Sequence, residues 1–238
     1  REFDVKTIVA TPTVRYSVRT KKGTTEIYSP HKFPEGGDIV EVMEPWLRIE
    51  ILMPPEKLSS VLKLLQEREV IIGETYKFSE SRLKLSAEMP LRELMRDFFD
   101  ELKSASQGYA SLNYEFLEMR KGDLVRLDVL VAEEAVPAFS RIVPKKGAES
   151  EAEKAVEKLH KILPAALFTV KIQAKAAGRI LASRSIKAMR KDVTGYLYGG
   201  DRTRKMKLWK KQKEGKKRLQ EEARYSIPSE AFIKMLRK

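Results

Sequence analysis

Apolar and polar positions alternate in short runs through the first half of the chain. Val5, Thr7 and Val9, then Val14, Tyr16 and Val18, follow the two-residue period of half-buried strands. Lys21-Lys22-Gly23 predicts a turn, and the Pro and Gly cluster from Ser29 to Gly37 a loop. A self-contained pattern begins near Trp46. Leu47, Ile49, Ile51 and Met53 alternate with Arg48, Glu50 and Leu52, and Pro54-Pro55 ends that strand and suits the start of a helix bearing Leu58, Val61, Leu62 and Leu65. Val70 to Tyr76 and Leu83 to Ala87 read as two strands joined through Phe78 to Ser81. Pro90 opens a second helix, with Leu91, Leu94, Met95, Phe98, Phe99 and Leu102 as its packing stripe and Gly108 as its cap. Ala110, Leu112, Tyr114 and Phe116 alternate again, which completes the βαββαβ order of a ferredoxin-like unit.

A second unit starts at Asp123. Val125, Leu127, Val129 and Val131 alternate, a looped stretch passes Pro137 and Pro144, and Ala152, Ala155, Val156, Leu159 and Leu163 form a helical stripe ended by Pro164. Phe168, Val170, Ile172 and Ala174 predict a strand, with Ile180 to Ile186 as its partner. From Arg202 to Ala223 helix formers dominate, yet Met206, Leu208, Trp209 and Leu219 are too few large apolar residues for a continuous buried stripe. A helix that polar faces water or a polar partner. A last short helix through Ala231, Phe232, Met235 and Leu236 has the apolar side needed to dock back. The fold class is therefore α+β: a ferredoxin-like domain followed by a smaller α+β domain with a long basic helix.

Composition narrows the chemistry. The 238 residues contain no cysteine, which removes disulfides, Cys-ligated zinc, iron–sulfur clusters and thiol catalysis. No run approaches the length of a transmembrane span and no signal peptide pattern opens the chain, so the expected compartment is the cytosol. Starting at Arg1 inside an alternating segment, the chain reads as a fragment. The net charge of +13 is unevenly placed: positions 171 to 238 hold 21 basic and 6 acidic residues, and the rest of the chain is slightly acidic. Such a block is the footprint of polyanion binding, against the plainer reading of a solvated tail.

Enzymatic signatures are missing. Gly215-Lys216 lacks the flanking glycine and hydroxyl of a phosphate-binding loop, no nucleophile elbow occurs, and His31 and His160 read as surface residues. Glu133-Glu134 and Glu221-Glu222 are adjacent in sequence and so point in different directions. The ferredoxin-like sheet offers Arg48, Glu50, Arg82, Lys84 and Ser86 where an RNA-recognition sheet needs stacking aromatics, and Pro54-Pro55 stand where an anion loop needs N–H donors. The positive signal is Lys187 to Arg218, where 13 basic residues face Asp192, Asp201 and Glu214, with Tyr196, Tyr198 and Trp209 interleaved. Cations neutralise phosphates while aromatics stack on unpaired bases. Tyr196 and Tyr198 equally suit a core, and Trp209 suits an anchor of the helix to its domain better than a stacking role.

Specific strings carry a family resemblance. The runs Lys187-Ala-Met-Arg-Lys-Asp-Val, Tyr198-Gly-Gly-Asp-Arg-Thr-Arg-Lys-Met-Lys-Leu, Lys211-Gln-Lys-Glu-Gly-Lys-Lys-Arg218 and Ile227-Pro-Ser-Glu-Ala-Phe232 resemble the C-terminal domain of the LepA, or elongation factor 4, family. Glu44-Pro45 and the stretch from Phe98 to Leu112 resemble the domain V that this family shares with elongation factor G, and Arg1 to about Val18 looks like the end of domain III. The resemblance implies three segments: 1–43, the end of domain III with connecting strands; 44–120, domain V; and 121–238, the basic RNA-binding domain. It implies a ribosome-associated translation factor whose GTPase domain, with its GTP and magnesium, lies outside this sequence, so that the chain itself carries no catalytic residue, metal or cofactor.

It also implies large-subunit RNA and the acceptor arm of a tRNA as partners, no small-molecule substrate, a monomeric state, and for the family an association with the inner membrane. On this reading Lys187, Arg190, Lys191, Arg202, Arg204, Lys205, Lys207, Lys210, Lys211, Lys213, Lys216, Lys217 and Arg218 contact phosphates, alongside Tyr196, Tyr198 and Trp209. The alternative is a free-standing RNA-binding module for ribosome assembly or RNA chaperoning.

Overall fold

A computed structural model describes residues 14–34, 38–189, 192–195, 202–222 and 225–236. The described residues form two units that divide between Asp123 and Leu124, each an antiparallel sheet backed by helices. In the first, the elements are β1 (Tyr16–Thr20), β2 (Gly23–Ile27), β3 (Ile39–Met53), α1 (Leu58–Gln66), β4 (Ile71–Ser79), β5 (Arg82–Pro90), α2 (Leu91–Glu93), α3 (Phe99–Ser106) and β6 (Ser111–Lys121). The hydrophobic alternation of β3 and β5 is in phase. Leu47 pairs with Met89, Ile49 with Ala87 and Ile51 with Leu85, so one face is apolar and packs on Val61 and Leu65 of α1 and on Leu94, Phe98 and Leu102. The strand order β6-β3-β5-β4 is that of the βαββαβ motif.

Residues 14–43 are more than a connection. Strands β1 and β2 extend the same sheet, because β3 begins at Ile39 and pairs with β1 through Met43 before it pairs with β5. The expected division at 43/44 therefore falls inside one continuous strand. Gly122 N–H also donates to Val42 O, which ties the end of β6 to the same place.

The second helix expected between Pro90 and Gly108 is broken. Arg96 and Asp97 leave helical geometry, Asp97 with φ 62°, between α2 and α3. The sequence shows no Pro or Gly there; Arg68 fills the break, its guanidinium donating to Glu93 O at 3.1 Å and Arg96 O at 3.0 Å. A charged donor replaces N–H partners that the helix would have supplied. At the end of α3 the cap position is Gln107, left-handed at φ 55°, and the expected cap Gly108 follows it, also at positive φ, with its N–H on Lys103 O.

In the second unit, β7 (Leu124–Val131) pairs with β8 (Glu134–Ala135), β9 (Arg141–Pro144) and, on its other side, β10 (Val170–Ala176), which carries β11 (Arg179–Ile186). Helix α4 (Ala148–Ile162) lays Ala152, Ala155, Val156 and Leu159 on Leu127, Val129, Val170, Ile172 and Ala174. Two helices follow, α5 (Arg202–Glu222) and α6 (Ser229–Leu236). Ala231 and Met235 of α6 are buried in this core, Phe232 meets Phe139 with ring centroids 5.1 Å apart, and Lys158 Nζ donates to Met235 O. The last helix thus docks as its apolar side requires.

Candidate nucleic-acid interface

Helix α5 begins at Arg202 and runs 21 residues, about 31 Å at 1.5 Å per residue. None of its side chains from Arg202 to Leu219 is buried. Its half-buried stripe is Lys205, Leu208, Gln212 and Lys216, spaced three or four apart, and only one of these is apolar. Lys216 Nζ donates to Met189 O at 3.1 Å, a polar attachment in place of hydrophobic burial. The helix is held as a solvent-facing element.

Arg204, Lys207, Lys210, Lys211, Lys213 and Arg218 are exposed, as is Arg202 at the N-terminal end, and none has a carboxylate partner among the described residues. Lys187 is exposed just after β11. The structure thus brings Arg202, Arg204, Lys205, Lys207, Trp209, Lys210, Lys211, Lys213, Lys216, Lys217 and Arg218 onto one rod. Arg190, Lys191, Tyr196 and Tyr198 lie outside the described residues. Trp209 is 55% exposed and Met206 58%, so little of Trp209 is left to anchor the helix.

Asp192 barely offsets this charge. Its Oδ1 accepts from Thr194 N–H at 2.9 Å and Thr194 Oγ1 at 3.1 Å, which holds its carboxyl below the usual range. A Cβ at Gly195 would stand 2.6 Å from Asp192 Oδ2, so a larger residue there would push that carboxylate aside.

The first unit presents the opposite situation. On the open face of its sheet, Arg48 meets Glu88 and Glu115, Lys84 meets Glu50, and Arg120 meets Glu88 at 2.8 Å and Glu118 at 2.7 Å. The Arg120 guanidinium also lies 4.8 Å from the centre of the Trp46 ring. Cations already paired with carboxylates have little attraction left for phosphate. Tyr76, on the edge strand β4, has its ring centre 5.7 Å from Lys84 Nζ.

One charged cluster was not legible in the sequence. Glu44 is 1% exposed and Arg92 4%; Arg92 Nε stands 2.8 Å from Glu44 Oε2, in ion-pair range but misaligned for a hydrogen bond, while another Arg92 nitrogen donates to Glu44 Oε1 at 3.4 Å. Arg92 also donates to Glu93 at 2.6 Å and to Glu69. Burial dominates and pushes the Glu44 carboxyl up to about 7, with Arg92 opposing and Glu69 and Glu93 adding to the rise. The same burial raises the Tyr16 hydroxyl. Only the Glu44-Pro45 string marked this place.

Among the described residues no group of His, Asp and Glu could hold a metal ion, and no helix is long and apolar enough to cross a membrane.

Comparison with known families places both units. Residues 41–130 match the family described as elongation factor G C-terminus, and residues 131–237 the one described as GTP-binding protein LepA C-terminus. The chain is thus a pair of translation elongation factor C-terminal domains. It belongs to the elongation factor 4, or LepA, family. It is 46% identical to elongation factor 4 of Thermotoga maritima, covering 100% of this chain and 38% of that protein, and 42% identical to elongation factor 4 of Chlamydia pneumoniae, covering 100% and 40%. The chain spans about two fifths of the length of the curated relatives it matches. The family boundary at 130/131 lies at the end of β7, whereas the compact units divide seven residues earlier, where the chain passes from β6 of the first sheet to β7 of the second.

Proposed function

We propose that this chain is the ribosome- and tRNA-binding portion of a translational GTPase of the elongation factor 4 family, one that remodels the translocation state or supports translation and ribosome maturation. Its contacts are with large-subunit RNA and a tRNA acceptor arm, and they run through α5. The observation that carries this reading is a 21-residue helix with no buried side chain from Arg202 through Leu219 and, among the described residues, a row of exposed cations, Arg204, Lys207, Lys210, Lys211, Lys213 and Arg218, without a carboxylate partner. A structure that keeps such a helix solvated leaves it available to a polyanion. GTP binding and hydrolysis belong, on this reading, to another part of the longer protein.

The test is binding of the chain to ribosomes and to tRNA across a salt series. Six to eight phosphate contacts would give a slope of about −4 to −7 in log K against log salt. Changing Lys207, Lys210, Lys211 and Lys213 to Glu should weaken binding strongly and flatten that slope, with thermal stability nearly unchanged because these side chains bury nothing. Unchanged affinity and slope would make α5 a solvated helix without a partner.

A further inference from the structure

The chain has two tryptophans, and their environments differ sharply. Trp46 is 7% exposed, whereas Trp209 is 55% exposed in the middle of the most cationic element. Met206, 58% exposed, stands three residues before it, so the two side chains are neighbours on the helix surface. Arg202 lies four residues before Met206 and Lys213 four after Trp209, both exposed, which makes a ridge of cation, thioether, indole and cation beside the half-buried stripe. An indole and a thioether held in water among like charges repel one another's partners selectively: the charges exclude an apolar protein surface, and the indole gains nothing from a phosphate. A ligand that satisfies both must carry a flat apolar surface and negative charge together.

We propose that Met206 and Trp209 form a stacking site for an unpaired nucleobase, with Arg202 and Lys213 on the phosphates that flank it. This inference rests on the RNA-binding reading above and sharpens it: α5 recognises the point where a paired RNA stem gives way to single strand. In a duplex the base faces are covered by their neighbours, and the indole has nothing to stack on. An unpaired base exposes its face to Trp209, and Met206 closes over its edge with a flexible, polarisable side chain. The same two cations serve either RNA; the two apolar residues decide between them.

Trp46 is shielded, so a change in tryptophan emission on binding reports Trp209. The experiment titrates the full chain with an RNA hairpin carrying a short unpaired tail and with the same hairpin lacking it, reading both affinity and emission. The tailed RNA should bind about 5- to 150-fold more tightly and quench the emission. W209A should abolish both the preference and the quench while leaving the salt slope intact, W209F should restore the preference without the signal, and W46F should change neither. Equal affinity for both hairpins with an intact salt slope would overturn the stacking site and leave the phosphate reading standing. No binding to either RNA would overturn both. A shift of Trp209 emission on vesicles of phosphatidylglycerol, with none on tailed RNA, would overturn the stacking site in favour of a membrane surface.

Discussion

Replacing Arg92 by Met tests whether the buried charge cluster holds the first unit together. The substitution keeps most of the side-chain volume and leaves Glu44 and Glu93 buried beside β3 and α2 without the guanidinium that contacts both. Removing one partner of a buried pair costs about 3–5 kcal/mol, a large share of the stability of a small domain. The pH dependence is the sharper reading. In the parent chain Glu44 has a folded pKa of about 7 against the ordinary 4.5, so the folded state binds the extra proton between those values.

Stability from this group is therefore full below pH 4.5, falls by about 3 kcal/mol as pH rises to 7, and levels off above. Arg92 is what allows Glu44 to ionise at all. Without it the folded pKa climbs further, and R92M keeps losing about 1.4 kcal/mol per pH unit above 7 where the parent does not. Urea unfolding followed by Trp46 emission, in a W209F background, measures the difference between parent and variant from about pH 6 to pH 8.5. Adding E44Q should cancel the extra slope. A loss below about 1 kcal/mol at pH 8, or a deficit that stays constant with pH, would refute the account of the cluster.

Arg68→Ala should destabilise the first unit by about 3 kcal/mol, since it strips Glu93 O, Arg96 O and Glu101 of a charged donor at the helix break; Arg68→Lys should recover only part, because an ammonium cannot span the same acceptors. Urea midpoints decide this. Gly215→Ala places a methyl group where no atom lies within 4 Å, so far-ultraviolet circular dichroism should show more helix and stability should rise by up to about 1 kcal/mol. A fragment of residues 14–123 should unfold cooperatively, whereas residues 44–120 alone should be much less stable, because they lack β1 and the part of β3 that covers Glu44 and pairs with Lys121; equal urea midpoints for the two fragments would contradict that role.

What the sequence determined about this protein was whatever depends on local pattern. The alternation of Leu47, Ile49 and Ile51 and the helical spacing of Leu58, Val61 and Leu65 specify which face of each element is apolar, and βαββαβ order then leaves one compact arrangement. The basic rod was legible for the same reason: a helix without an apolar stripe announces its own exposure, and charge needs no partner in sequence to be counted. The motifs that marked the family are likewise contiguous strings.

Tertiary structure decided what depends on residues far apart. Position 43/44 lies inside β3, whose first pairing is with β1, which no local pattern near Glu44 reveals. The helix break at Arg96 and Asp97 is met by Arg68, about 30 positions earlier, whose guanidinium takes the carbonyl that a continuous helix would have used. Glu44 and Arg92 look like surface charges in the sequence and are the most deeply buried ions of the first unit, since burial is a property of the assembled sheet and helix. Trp209 shows the reverse. Its size and apolar ring favour a core, but the helix that carries it contributes too little apolar surface to be drawn in, and the indole stays in water with its cations.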